Sequence, residues 1–337
     1  MRVCDWIAQF LYDRGVTYVH GLMGGGAAGL NDGFIKNGKI KYICYHHEQG
    51  AGHAAIGESK ITGKIAVVNP TTGCAGTNCA TSVLNAWQDS VPVLFLSGNV
   101  RLDTCSGWIN DTKNIHIRKY GIQEHHVVDT YQSMTKMSHF ITDARDVPIT
   151  LEYAWHLMTA DRPGPVWIDI PGNIQTMAMP DDPRHYTGPV PTDPLQYDFD
   201  AVRGALAVAE RPIVLAGYGV RQSGTVDQFL QFVEKYQIPY VGTYGARDYA
   251  EHSHPLNIGT VGQRGSRAGN FAMQNADLLL ILGSSLNASV IGYDPRQFSP
   301  VSFKIAVDID ANELAKDIVR VDVNLQMDLR DFFRGML

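Results

Sequence analysis

Residues 40–78 read IKYICYHHEQGAGHAAIGESKITGKIAVVNPTTGCAGTN. A short apolar run is followed by a helix-length segment rich in glycine and alanine, a second apolar run, and a turn rich in glycine and hydroxyls. Strand, helix and strand in that order predict a parallel βαβ unit, because parallel strands need a crossover long enough to hold a helix. Outward from this unit the same alternation continues in both directions. VCDWIAQFLYDRG (3–15) predicts an amphipathic helix with Val3, Ile7, Phe10 and Leu11 on one face. TYVHGL (17–22) and VPVLFLSG (91–98) read as strands, and ITLEYAWHLMTADRPGPVWIDIP (149–171) as a helix, a turn over 162–165 and a strand.

MPDDPRHYTGPVPTDP (179–194) carries five prolines and no apolar period. Such a stretch suits a connector. Beyond it the alternation resumes in RPIVLAGYGV (211–220), a helix from about 225 to 236, IPYVGTY (238–244), ADLLLILG (276–283) and FKIAVDID (303–310). The expectation is two doubly wound α/β domains with mostly parallel sheets: residues 1–178, a linker at 179–195, and residues 196–337. The length of 337 residues agrees with this, since single cores stop growing near about 250–300 residues.

Hydrophobic content of 45%, charged content of 18% and a net charge of −6 give no bias toward nucleic acid or an anionic membrane. The five cysteines have neither a C-x-x-C pair nor metal-ligand spacing, and an odd number closes no disulfide framework. A reduced, cytoplasmic protein is expected. Asp5 and Asp13 interrupt the N-terminal apolar positions, so the segment reads as neither a signal peptide nor a membrane span.

Glu48 stands where a strand gives way to a helix, a place where the helix dipole favours a carboxylate. On its own it reads as a helix-start residue. The glycines of NPTTGCAGTN (69–78) lie after a strand, at the end of a parallel sheet where ligands bind, and read alone they suit a tight turn equally well. VLAGYGV and LLILGSS in the second half are strand-to-glycine junctions of the same ambiguous kind.

Taken together, HHEQGAGHAAIGESKITGKIAVVNPTTGCAGTN resembles the pyrimidine-binding domain of thiamine-diphosphate enzymes of the acetolactate synthase family, in spacing as well as in composition. GLMGGGAAGLND (21–32), AWQDSVPVLFLSGNV (86–100), GIQE (121–124), Thr135–Lys136 and RPGPVWIDIP (162–171) follow in family order, and GQRGSRAGNFAMQNADLLLILG (262–283) and VDIDANEL (307–314) resemble the family's central domain. The paired histidines, the "LND" and "IRKYGIQE" are most similar to relatives in nucleotide-sugar pathways.

The resemblance implies a catalytic Glu48 that hydrogen-bonds N1′ of the cofactor's aminopyrimidine and promotes loss of the thiazolium C2 proton, with Gln123 near the substrate. It implies thiamine diphosphate bound by Glu48, Thr72, Gly73, Asn78, Gly24 and Gly25. For FAD it points to Arg162, Gly262, Gly265, Ser266, Arg267, Asn270, Gly283, Ser284, Asp308 and Asp310, with a flavin-free scaffold as the alternative. Cys74 and Ala75 stand where the family has proline and glycine, and Met23 where it has proline.

The implied reaction is decarboxylation of a 2-oxo acid, pyruvate in the first instance, and ligation of the two-carbon unit to a carbonyl acceptor. A plain 2-oxo acid decarboxylase and a non-catalytic regulatory subunit are the alternatives. The family's diphosphate-binding domain, whose G-D-G motif and later asparagine bind Mg2+, has no counterpart in these residues. The expectation is therefore a fragment, or a subunit partnered by a separate diphosphate domain, in a homodimer or homotetramer.

Overall fold

The computed structural model describes residues 1–189 and 198–337. The chain divides into two compact units, residues 1–191 and 192–337. Residues 190–195 of the expected linker lie outside the described residues. Residues 179–189 do not run free: they lie along the first unit. Met179 N donates to Met1 O, Arg184 pairs with Asp146, and Glu152 accepts from Tyr186 N and contacts the His185 ring. Backbone donors of the segment, Met179 N, Arg184 N and Tyr186 N, and the Arg184 side chain make the attachment.

In the first unit the strands are β1 (Tyr18–Gly21), β2 (Lys41–Cys44), β3 (Ala66–Asn69), β4 (Val93–Asn99), β5 (Met137–Phe140) and β6 (Val166–Pro171). They form a parallel sheet in the order β2-β1-β3-β4-β6-β5. Its helices are α1 (Val3–Asp13), α2 (Ala28–Asn37), α3 (Glu48–Thr62), α4 (Cys74–Thr77), α5 (Ala80–Gln88), α6 (Ser106–Lys113), α7 (Val127–Tyr131), α8 (Val147–Thr159) and α9 (Gly172–Thr176). One apolar cluster packs α1, α2 and α8 on one face of the sheet, and a second packs α3, α5 and α7 on the other. Strands β3, β4 and β6 are buried at every position, as expected for parallel strands covered on both faces.

The second unit is again a six-stranded parallel sheet, in a different strand order: β7 (Pro212–Ala216), β8 (Tyr240–Gly242), β9 (Asn257–Thr260), β10 (Leu278–Leu282), β11 (Phe303–Asp308) and β12 (Val323–Gln326) are ordered β12-β11-β10-β7-β8-β9. Its helices are α10 (Asp200–Val208), α11 (Gly219–Gln222), α12 (Val226–Tyr236), α13 (Arg267–Gln274), α14 (Ala288–Ile291), α15 (Ala311–Ala315) and α16 (Leu329–Met336). Strands β5, β9 and β12 were not evident in the sequence. All three are edge strands with mixed polarity, and they become strands by pairing with a buried neighbour.

Asp169 sits inside the first sheet. It is register partner to Ser97 across β4 and β6, so both side chains project from the same face. Its carboxylate accepts from Ser97 Oγ at 2.6 Å and Asn99 Nδ2 at 2.7 Å, while Trp167 Nε1 donates to Ser97 Oγ at 2.9 Å. Burial pushes the Asp169 carboxyl up to about 6; bonds from Ser97 and Asn99 oppose the rise and the charge of Glu124 adds to it.

Two measurements test this packing. Gly52 of α3 faces α5 so closely that a Cβ would lie 2.1 Å from Ser82 Oγ, whereas a Cβ on Gly57 of the same helix meets nothing. Gly52→Ala is expected to destabilise the unit by about 1–3 kcal/mol through overpacking, and Gly57→Ala to stabilise it by about 0.5–1 kcal/mol, in urea unfolding. Equal effects would refute the close approach of α3 and α5. For Asp169, a folded-state pKa above the unfolded value means stability is greatest below the unfolded pKa of 3.8 and is lost as pH rises toward 6. The loss should amount to about 3 kcal/mol. Asp169→Asn should remove that slope, and a wild-type-minus-variant difference that stays constant from pH 4 to 7 would count against it.

Candidate active site at the strand reversal

In the first sheet the chain adds β2 on one side of β1 and then β3 on the other. The loops leaving β1 and β3 therefore part at the carboxyl ends of the strands, which is where open α/β sheets bind ligands. The glycine turn after β1 and the Thr71–Gly73 turn after β3 line this place. They touch closely: a Cβ on Gly24 would lie 2.4 Å from Thr71 Cγ2, and one on Gly26 only 1.6 Å from Thr72 Oγ1. Gly25 faces open space. Gln175 of α9, fully buried, clamps the glycine turn by donating to Gly26 O and Ile170 O, both at 2.7 Å, and accepting from Leu30 N at 3.1 Å.

Glu48 is the first residue of α3 and is 8% exposed. Its Oε2 accepts from Asn78 Nδ2 at 2.9 Å, which joins the two sequence motifs in space. His47 caps the helix, its Nδ1 accepting from Gln49 N at 3.1 Å, so it is structural. His46 and His53 are exposed. Ala51 and Ala55 pack in the core, and Gly52 lets α5 approach, so the small residues serve helix packing here.

Cys74 and Ala75 do not unravel the turn. Thr77 N donates to Gly73 O and Asn78 N to Cys74 O, making α4 a single helical turn that delivers Asn78 to Glu48. Gly73 has φ +57°, and a Cβ there would lie 1.6 Å from the Gln123 carbonyl oxygen. Gln123 itself has φ +56° and an exposed side chain. The loop that carries it is held from below: Glu124, buried, accepts from Ser106 Oγ and Tyr120 N at 3.0 Å each, and Asn99 donates to His125 O at 3.4 Å.

Glu124, Asn99, Asp169 and Gln175 were not singled out from the sequence. The visible signals were a carboxylate directly after Gln123 and a lone aspartate in the apolar run VWIDIP.

The hydroxyls of Thr71 and Thr72 are buried and make no hydrogen bond among the described residues. Native proteins pair nearly all such groups, so these two fit contacts to a bound polar ligand. With Glu48, Asn78 and the two glycine turns they make a polar, close-approach cradle suited to an aminopyrimidine. No cluster of three or more His, Cys, Asp or Glu side chains able to hold a metal occurs among the described residues.

The positions expected for a flavin behave differently. In the second sheet the reversal lies between β7 and β10, but Gly217 N donates to Leu282 O and Gly219 N to Gly283 O, so backbone closes the gap. Asn270 spends both amide atoms on Gly262 N and O, and Ser266 caps α13. Gly265 N turns back to Gly262 O, and Arg267 is exposed. Asp308 accepts from Asp310 N, and Asp310 caps α15. Beside Ser284 and Asp308 a cavity of about 30 Å³ remains, with Lys316 in its wall bonded to Ser285 O and Glu313. Arg162, in the first unit, donates to Ser90 Oγ at 2.8 Å. As arranged, many of these residues bond to neighbouring backbone and side chains of their own loops.

The family described as thiamine pyrophosphate enzyme, N-terminal TPP binding domain, matches residues 1–131, and that described as thiamine pyrophosphate enzyme, central domain, matches residues 199–336. The acetolactate synthase large subunit of Lactococcus lactis subsp. lactis is 34% identical over 331 residues, covering 96% of this chain and 55% of the relative. The isozyme 1 large subunit of Escherichia coli is 31% identical over 99% of this chain and 57% of its own length, and the probable large subunit of Methanocaldococcus jannaschii 31% over 100% and 56%. The chain thus spans just over half the length of these relatives. Its two sheets, matched in turn by the N-terminal and central domain descriptions, belong to the thiamine pyrophosphate enzymes, with acetolactate synthase large subunits among its relatives.

Proposed function

We propose that this chain supplies the aminopyrimidine-binding part of a thiamine-diphosphate-dependent carboligase, one that decarboxylates a 2-oxo acid, with pyruvate as donor, and joins the two-carbon unit to a carbonyl acceptor. The observation that carries the reading is the meeting of Glu48 and Asn78 beside the unpartnered Thr71 and Thr72 hydroxyls. When bound, thiamine diphosphate supplies the carbanion stabilisation that such a reaction needs. Glu48 is suited to hold a proton at the ring nitrogen N1′. The first turn of α3 favours its negative charge, Asn78 fixes Oε2, and Oε1 is left for the ring.

Gly24, Gly25, Thr72 and Gly73 would let backbone and hydroxyls come close to the cofactor. Gln123, exposed on a loop whose backbone is seated on Gly73, is assigned to the substrate side. The relatives extend beyond the region matched here. The reading places the Mg2+ and diphosphate groups in that further length or in a separate diphosphate-domain subunit, within a homodimer or homotetramer. Among the described residues no helix is long and apolar enough to cross a membrane.

In an assembly complete with a diphosphate-binding domain, Glu48→Gln should slow exchange of the cofactor C2 proton by about 100-fold or more while the fold is kept, since Gln can still accept from Asn78. Exchange at the wild-type rate would remove Glu48 from this role. For the second unit, titration of the purified chain with FAD should give no saturable quenching of flavin fluorescence. Saturable binding would show that the crevice opens and would restore the flavin assignment.

A further inference from the structure

Three polar side chains from three segments meet next to the proposed site and have no part in the reading above. His20, near the end of β1, is 5% exposed. Its Nδ1 lies 2.8 Å from the Tyr45 hydroxyl and its Nε2 2.5 Å from Glu58 Oε2. Tyr45 directly follows β2, and Glu58 is on α3, about 15 Å along the helix from Glu48 by helical rise.

The donors and acceptors order themselves. An ionised carboxylate only accepts, so Nε2 carries the proton, and in the neutral ring Nδ1 is then the acceptor for the Tyr45 O–H. Burial and the nearby Glu58 push the Tyr45 phenol up, which keeps it a donor. The direction Tyr45 to His20 to Glu58 satisfies both ring nitrogens of a buried imidazole.

The placement matters because it bears on the connection from β2 to α3. Among the described residues, strand β2 is an edge strand paired with β1, and His46 and His47 are exposed. Tyr45 N donates to Gly21 O at 3.0 Å, and the side-chain chain then ties the same residue to β1 and to α3. Glu48 begins immediately beyond this connection.

We propose that Glu58, His20 and Tyr45 form a hydrogen-bonded brace that fixes the β2–α3 connection and thereby positions Glu48; all three are positioning residues, and this role rests on the assignment of Glu48 above. Glu58→Gln keeps an acceptor for Nε2–H and preserves the brace. Glu58→Ala and Tyr45→Phe break it.

The test begins with the wild-type chain free of cofactor. Nitrogen-15 spectroscopy of the His20 ring should show the proton on Nε2 and an acceptor Nδ1; a proton on Nδ1 with an unprotonated Nε2 overturns the brace. Amide hydrogen exchange over residues 45–49 should quicken at least tenfold in Tyr45→Phe and Glu58→Ala and stay near wild type in Glu58→Gln, while unchanged exchange in the first two overturns it as well. In the complete assembly at saturating cofactor, C2 proton exchange should fall by about ten- to a hundredfold in Tyr45→Phe and Glu58→Ala and be rescued in Glu58→Gln, because small misplacements of a reacting group cost that much. A C2 rate untouched by Tyr45→Phe, in an assembly where Glu48→Gln slows exchange by about 100-fold or more, would refute the positioning role while leaving Glu48 in place. If Glu48→Gln also leaves the rate unchanged, the assignment of Glu48 fails, and with it the positioning role; the ring and amide measurements then decide only whether the brace exists.

Discussion

The reversal of strand order between β1 and β3 is the constraint on which the first unit depends. Because β2 and β3 are added on opposite sides of β1, two loops leave the sheet edge side by side and diverge. Every contact in the proposed site follows from how that gap is lined. Glycines at 24 and 26 let the first turn rest on Thr71 and Thr72, Gly73 receives the carbonyl of Gln123, and the helical turn after Gly73 carries Asn78 to Glu48. A side chain at any of these glycines would displace backbone or a hydroxyl that the next contact needs.

The second unit is also a six-stranded parallel sheet with a strand-order reversal, but its strand order differs and so does the outcome. Its reversal falls between β7 and β10, yet Gly217, Gly219 and Gly283 bring two turns into direct hydrogen bonding, and the polar residues of its loops bond one another. Glycine at a strand end is thus compatible with two opposite results: room for a ligand, or room for another backbone. What separates them is whether polar atoms are left over. Among the described residues, buried hydroxyls without partners occur at the first reversal, whereas at the second Asn270 and Asp308 bond backbone of their own loops. The fold alone does not make the site.

Much of this was legible in the sequence because burial leaves a mark on composition. The helices α1 and α12 and the wholly buried strands stood out through apolar period or apolar runs. The edge strands MSHF, NIGT and VNLQ did not, since half of each faces away from the core and only a neighbour's hydrogen bonds make them strands. Within the site, the motif residues Glu48, Thr72, Gly73 and Asn78 were readable, but the pairing of Glu48 with Asn78 is a tertiary contact with no local signature. The anchors Gln175, Glu124 and Asn99 were hidden for the same reason: each is an ordinary polar residue whose role comes from what the fold brings to it.

Those anchors share a physical logic. Asp169, Ser97 and Asn99 lie within the sheet and support the loop bearing Gln123; Glu58, His20 and Tyr45 lie on the other side of the reversal and support the connection bearing Glu48. Burying such groups costs desolvation that an apolar core would avoid, and hydrogen bonds return only part of it. Apolar packing, however, is tolerant of small shifts, whereas a donor and acceptor in low dielectric hold one geometry and penalise others. Polar groups placed under both loops that carry the proposed catalytic residues, in a sheet whose central strands are wholly buried, are explained if the loops must be held in one position rather than merely held. The raised Asp169 carboxyl is the visible residue of that exchange of stability for position.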